Sequence, residues 1–162
     1  MKQITLSLKN GKIEAIDIPI PSLEDNSVLV KNKFSLISSG TEGSLINFGE
    51  SNFIKKVLNQ KDKVQLVLDK LKRDGLISTI NTVSEKLSNS LPLGYCSVGE
   101  VIKSTSKDFI KGQRVICNGP HAEYVTVPTN LCHHVPDNVK DLDAVFTVIA
   151  SISLQGIRSL DP

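Results

Sequence analysis

The chain has 162 residues and a mass of 17.6 kDa, enough for one domain whose core needs neither disulfides nor metal. Hydrophobic residues make up 40% and charged residues 22%, which argues against intrinsic disorder. Nineteen basic against seventeen acidic side chains leave +2, and aromatics are only 4%. That is too little charge for a phosphate-backbone binder and too few rings for a base-stacking platform, so no nucleic acid is expected as a partner.

The first eight residues contain no continuous apolar run and no small-residue cleavage site. No apolar stretch approaches a membrane span, so neither a signal peptide nor membrane insertion is expected. Cys96, Cys117 and Cys132 are an odd, unspaced set. They argue against a disulfide framework and for a cytoplasmic location.

Residues 3–8 and 12–18 alternate polar and apolar around Asn10-Gly11, the pattern of a β-hairpin. Pro19 and Pro21 close that unit. Residues 27–36 read as a buried strand carrying Val28 and Val30. From Gly43 to Pro92 the character changes. Val64, Val67, Leu68 and Leu71 fall on one helical face. Gly75 after Lys72 and Arg73 reads as a helix stop, and Thr82 with Glu85 has the spacing of a capping box. The lysines of this segment interleave with aspartates, as on a solvated face.

After Pro92 the chain becomes strand-like again, at residues 98–103, 114–116, 123–127 and 132–135. Short strands at this spacing suggest a barrel or sandwich. From Asp141 the pattern is helical, with Leu142, Val145, Phe146 and Ile149 on one face.

Three stretches carry a resemblance. The first is Gly112-Gln113-Arg114-Val115, followed by Gly119-Pro120-His121-Ala122-Glu123-Tyr124-Val125 and Val127-Pro128. The second is Pro92-Leu93-Gly94-Tyr95-Cys96-Ser97-Val98-Gly99, and the third is Ser39-Gly40-Thr41-Glu42. In this order they resemble the N-terminal, GroES-like domain of the medium-chain dehydrogenase/reductase family, whose members include the zinc-type alcohol dehydrogenases. The implied fold is mainly β with an α insertion. It is a partly open β-barrel over 1–162, with a helical insertion at 44–91 and a connecting helix at 141–162 leading toward a Rossmann domain. The insertion resembles a subgroup fused to an oxidoreductase unit of the Gfo/Idh/MocA type, often linked to sugar or polysaccharide metabolism.

The resemblance implies an NAD(P)-dependent oxidoreductase acting on an alcohol, carbonyl or sugar-derived substrate. No G-x-G-x-x-G occurs, so NAD or NADP is expected on a following Rossmann domain, and neither is expected to bind tightly to these residues alone. No turnover is expected from this chain by itself, and a homo-oligomer stays open. In the family a hydroxyl at the position of Thr41 relays a proton, and its acidic neighbour, here Glu42, orients the loop. The family's zinc-ligand positions match Ser39, Tyr95, Cys96 and, within one position, Ser151. Serine and tyrosine hydroxyls are poor zinc ligands at neutral pH, so no zinc is expected. Tyr95 is then a candidate proton donor. Each residue also has a plainer reading: a polar turn for 38–41, a packed phenol for Tyr95 and a small core residue for Cys96. Cys132-His133-His134 alternate across a strand and cannot all hold one ion. Cys117 with His121 supplies only two ligands. The alternative to an enzyme part is a non-catalytic GroES-like module that docks a partner through the insertion.

Overall fold

The computed structural model describes residues 1–50 and 90–160. The periodicity at residues 64–71, the helix stop at Gly75, the Thr82/Glu85 pair and most of the 44–91 insertion lie outside the described residues.

Chain order gives β1 (Lys2–Ser7), β2 (Ile13–Asp17), β3 (Ser27–Ser35), α1 (Thr41–Glu50), β4 (Ser90–Pro92), β5 (Ser97–Ser104), β6 (Arg114–Cys117), β7 (Tyr124–Pro128) and β8 (Cys132–His134), the last entered through a 3-10 turn at Thr129–Leu131. Two helices follow, α2 (Asp141–Ala144) and α3 (Thr147–Ser159). The hairpin and the strands β3, β5, β6, β7 and β8 fall within a residue or two of their sequence-based bounds. β4 and the 3-10 turn lie at prolines and polar residues, where no apolar alternation marks them.

The strands form a three-stranded sheet in the order β2-β1-β4 and a five-stranded sheet in the order β7-β3-β5-β6-β8. The chain is thus mainly β, with sheets that do not close into a barrel. β3 lies between β5 and β7, both antiparallel to it. Its ladder with β5 slips between Leu29 and Val30 and again between Asn32 and Phe34, the signature of bulges that bend and twist a strand.

By contact density the chain divides into two compact units. One comprises Met1–Ile4, Ala15–Ser38 and Pro92–Pro162; the other comprises Thr5–Glu14 and Ser39–Leu91. The first unit holds two cores. Val28, Val30, Val101, Val115 and Val125 pack with Phe109, each at most 7% exposed. Val98, Ile116 and Val135 pack with Ala144 and Val145 of the C-terminal segment. Valine dominates because its β-branched side chain fits a pleated, buried surface. Each fully buried valine contributes roughly 1.5–3 kcal/mol of transfer free energy.

The helical face expected after Asp141 is realised differently. The helix breaks at Val145-Phe146, so Ala144 and Val145 turn inward while Leu142 and Phe146 are exposed. No residue of α3 is buried, and Ile152, Leu154 and Ile157 face outward. Among the described residues no helix is long and apolar enough to cross a membrane.

In the second unit, α1 packs on the turn that follows β1. Gly11 has φ +72°, a backbone conformation glycine adopts without steric cost. A Cβ on Gly49 would sit 2.7 Å from the Gly11 Cα and 3.2 Å from the Ser7 carbonyl oxygen. Glycine at both positions lets helix and turn touch backbone to backbone.

Candidate functional site

Ser39, Thr41 and Glu42 sit where α1 begins. The Gly43 N–H donates to the Ser39 carbonyl at 3.2 Å, and the Ser44 N–H to the Gly40 carbonyl at 3.0 Å. The Ser44 hydroxyl also donates to the Gly40 carbonyl at 2.7 Å. The polar turn expected at 38–41 therefore stops at Gly40, and Thr41 is already helical. Ser39 and Thr41 are exposed, whereas Glu42 is only 5% exposed. Glu42 is the one buried charged side chain among the described residues. Its place in the first turn sets a carboxylate at the positive end of the helix dipole.

Tyr95 and Cys96 sit in the other unit, on the approach to β5. The preceding residues are held by three backbone bonds. The Leu93 N–H donates to the Ile4 carbonyl at 3.0 Å, the His121 N–H to the Leu93 carbonyl at 2.7 Å, and the Ile4 N–H to the His121 carbonyl at 2.8 Å. Gly94, at φ +91°, lies flat against His121: a Cβ there would sit 2.7 Å from the His121 amide nitrogen and from the ring. Beyond Tyr95, the Leu36 N–H donates to the Cys96 carbonyl at 2.9 Å. Tyr95 is thus fixed from both sides by backbone, and its ring is half-buried. The Cys96 side chain is fully buried, as its reading as a small core residue requires.

The imidazole of His121 is the residue that sequence reasoning underweighted. Its Nδ1 lies 2.8 Å from the Ser35 hydroxyl. Asn32 holds the same loop, with Nδ2 donating to the Ala122 carbonyl at 2.9 Å and the Pro120 carbonyl at 3.4 Å. Ser35 and His121 are 86 positions apart in sequence, and only the pairing of β3 with β5 and β7 brings them together. Nothing in the local pattern around Ser35 announces it. Ser97 was likewise missed. It is fully buried, and its hydroxyl lies 3.2 Å from the Cys117 sulfur.

Ser151 lies within α3, is exposed, and donates its hydroxyl to the Val148 carbonyl at 2.7 Å. Cys132 is buried while His133 and His134 are exposed. His134 stacks on Phe109 at 4.7 Å, and its Nε2 donates to the Asp108 carbonyl at 3.1 Å. Among the described residues no group of three or more His, Cys, Asp or Glu side chains converges. Of the candidate residues, Ser39, Thr41 and Glu42 belong to one unit, and Tyr95, Cys96, His121 and Ser151 belong to the other.

The sequence matches no family model, and it matches no curated protein. Solved structures match it over nearly its whole length. The structure of 2R,3R-butanediol dehydrogenase from Bacillus subtilis covers 98% of this chain at 14% identity, with a TM-score of 0.63. Galactitol-1-phosphate dehydrogenase from Escherichia coli covers 90% at 14% identity, with a TM-score of 0.59. The quinone oxidoreductase from Thermus thermophilus, solved also in its complex with NADPH, covers 90% at 16% identity, with a TM-score of 0.54. The chain spans 47%, 41% and 36% of the length of these three proteins. Its fold is that of the N-terminal portion of medium-chain dehydrogenase/reductase structures.

Proposed function

We propose that this chain is the substrate-side domain of an NAD(P)-dependent oxidoreductase that works without zinc on an alcohol, carbonyl or sugar-derived substrate. The observation that carries this reading is the likeness to dehydrogenases and quinone oxidoreductases over at least 90% of this chain but under half of each of theirs. The remaining length of those proteins is where a nicotinamide-binding unit belongs. When bound, the nicotinamide supplies or accepts the hydride. This domain then binds and orients the substrate and manages the proton.

The donor set does not suit zinc. The matching positions offer two serine hydroxyls, a phenol and Cys96, whose side chain is fully buried. The hydroxyl of Ser151 is already committed to its own helix. Zinc needs thiolate, imidazole or carboxylate, so no step is routed through a metal. In its place, Tyr95 donates a proton to the carbonyl oxygen being reduced. The Thr41 hydroxyl passes a proton toward solvent, consistent with its exposed place at the head of α1. His121, by fixing Gly94, holds the backbone from which Tyr95 projects.

The test is made in a polypeptide that carries both this chain and a cofactor-binding unit. NAD(P)H oxidation is followed with a panel of carbonyl compounds. Tyr95→Phe and Thr41→Ala are each expected to lower kcat by roughly 10²–10⁴, with KM little changed. Undiminished kcat in Tyr95→Phe would end the proton-donor role. No turnover with any carbonyl, in a polypeptide that binds NAD(P)H, would favour a non-catalytic module instead.

A further inference from the structure

Cys117 and Cys132 face each other across the β6–β8 ladder. The Asn118 N–H donates to the Leu131 carbonyl at 3.0 Å, one register step beyond them. Because bonded and non-bonded pairs alternate in an antiparallel ladder, Cys117 and Cys132 occupy a non-bonded pair. At such a pair the Cα atoms stand about 4.5 Å apart and the side chains are at their closest, which lies within the roughly 4.4–6.8 Å that a disulfide spans. Both side chains enter the same core, at 1% and 2% exposure. Both are free thiols. Cys96 lies outside this ladder.

We propose that Cys117 and Cys132 are a reversible thiol–disulfide pair, and that their oxidation by a small disulfide such as oxidised glutathione staples the edge strand β8 to β6. The reaction has two steps. The Cys117 thiolate attacks one sulfur of the small disulfide, forms a mixed disulfide and releases one small thiolate. The Cys132 thiolate then attacks the Cys117 sulfur and displaces the second small thiolate. Two cysteine thiols lose two electrons and two protons; the small disulfide gains them and becomes two thiols.

Cys117 is the better attacking group because the Ser97 hydroxyl, 3.2 Å from its sulfur, can donate to the thiolate. Burial pushes the Cys117 thiol up to about 11 and the Cys132 thiol up to about 12. At neutral pH both stay protonated and enclosed, so the pair is slow to react while the strand is closed. Access comes through β8, a three-residue strand at the sheet edge. Short edge strands open locally at far lower free energy than the whole fold.

The folded chain is incubated with oxidised glutathione, alkylated under denaturing conditions and analysed as intact mass and as non-reduced peptides. The expected result is a mass lower by two hydrogens, a linked peptide pair containing Cys117 and Cys132, and one remaining alkylated thiol at Cys96. Reductant should restore all three thiols. Amide exchange at residues 132–134 should slow by about tenfold or more in the oxidised form. Cys96→Ser should still form the bridge, and Cys132→Ser should not. The proposal is overturned if the folded chain keeps all three thiols under conditions that bridge the urea-unfolded chain. A bridge to Cys96, or unchanged exchange at β8 once the bridge is formed, also overturns it.

Discussion

Arg114 and Asp141 are joined by a hydrogen-bonded ion pair of 2.9 Å that ties β6 to the start of α2. The same guanidinium donates to the Val139 carbonyl from both terminal nitrogens, each at 3.0 Å, and to the Pro136 carbonyl at 2.8 Å. One side chain thus gathers the whole segment between β8 and α2. Both partners are less than a third exposed, so the pair is screened less than a surface bridge.

Arg114→Ala should destabilise the chain by about 2–3 kcal/mol, because it takes the partner from the Val139 carbonyl and the Asp141 carboxylate together, while the Pro136 carbonyl keeps the Val139 N–H at 3.0 Å. Asp141→Ala should cost about 1 kcal/mol, because the carbonyl bonds survive. Arg114→Lys should fall near the alanine variant, since an ammonium cannot reproduce the planar fork. Urea midpoints at constant m-value measure all three. Equal losses in Arg114→Ala and Asp141→Ala would mean that the carbonyl bonds add nothing.

Gly49 and Gly156 are both helical glycines with opposite surroundings. The first meets the Gly11 backbone, and the second has nothing within 4 Å of an added Cβ. Alanine gains roughly 0.5–1 kcal/mol over glycine in a helix. Gly156→Ala should therefore raise the unfolding midpoint. Gly49→Ala should lower stability by about 1–3 kcal/mol, because the clash is with backbone atoms that cannot swing away. A stabilised Gly49→Ala would refute the contact between α1 and the turn.

Gly94 combines a positive φ with close approach to the His121 backbone. Gly94→Ala should cost about 2 kcal/mol or more. It should also shift the NMR signals of the His121 ring, which a distant structural defect would leave in place. An unshifted imidazole would separate His121 from the backbone that carries Tyr95.

The strands were legible because Val28, Val30, Val98, Val101 and Val115 are β-branched residues between turn signals, and that pattern is local. The Asn10-Gly11 turn was legible for the same reason: the Ser7 N–H bonds the Lys12 carbonyl across it at 2.9 Å. The Arg114–Asp141 clamp and the Ser35–His121 contact were not, because each joins residues that only tertiary pairing brings together. Helical periodicity also misjudged Leu142 and Phe146. It assumed one continuous helix, while the break at Val145-Phe146 re-aims both outward. At the candidate site, the serines, glycine and threonine of 38–41 favour a turn, and Thr41 departs from it by starting the helix. The bonds from Gly43 and Ser44 carry the helix back to that point.

Stability should fall in alkali for a reason that resides in two side chains. An unperturbed thiol titrates at 9.0, whereas burial raises Cys117 to about 11. Burial, reinforced by the nearby Cys117, raises Cys132 to about 12. Below pH 9 folded and unfolded chains both hold these protons, and the thiols add no pH dependence. Between pH 9 and about 11 the unfolded chain releases protons that the folded chain retains. The unfolded state then binds fewer protons, so unfolding free energy decreases as pH rises. Each buried thiol contributes up to about 1.4 kcal/mol per pH unit across that window. The urea midpoint should therefore drop more steeply from about pH 8.5 to about pH 10.5 in the wild-type chain than in the Cys117→Ser/Cys132→Ser double variant, with reductant present throughout. The double variant starts from lower stability, since it places hydroxyls in a valine-lined core, but its slope carries the test. Parallel slopes would mean that the two thiols titrate alike in the folded and unfolded chain, and that the core around them admits water.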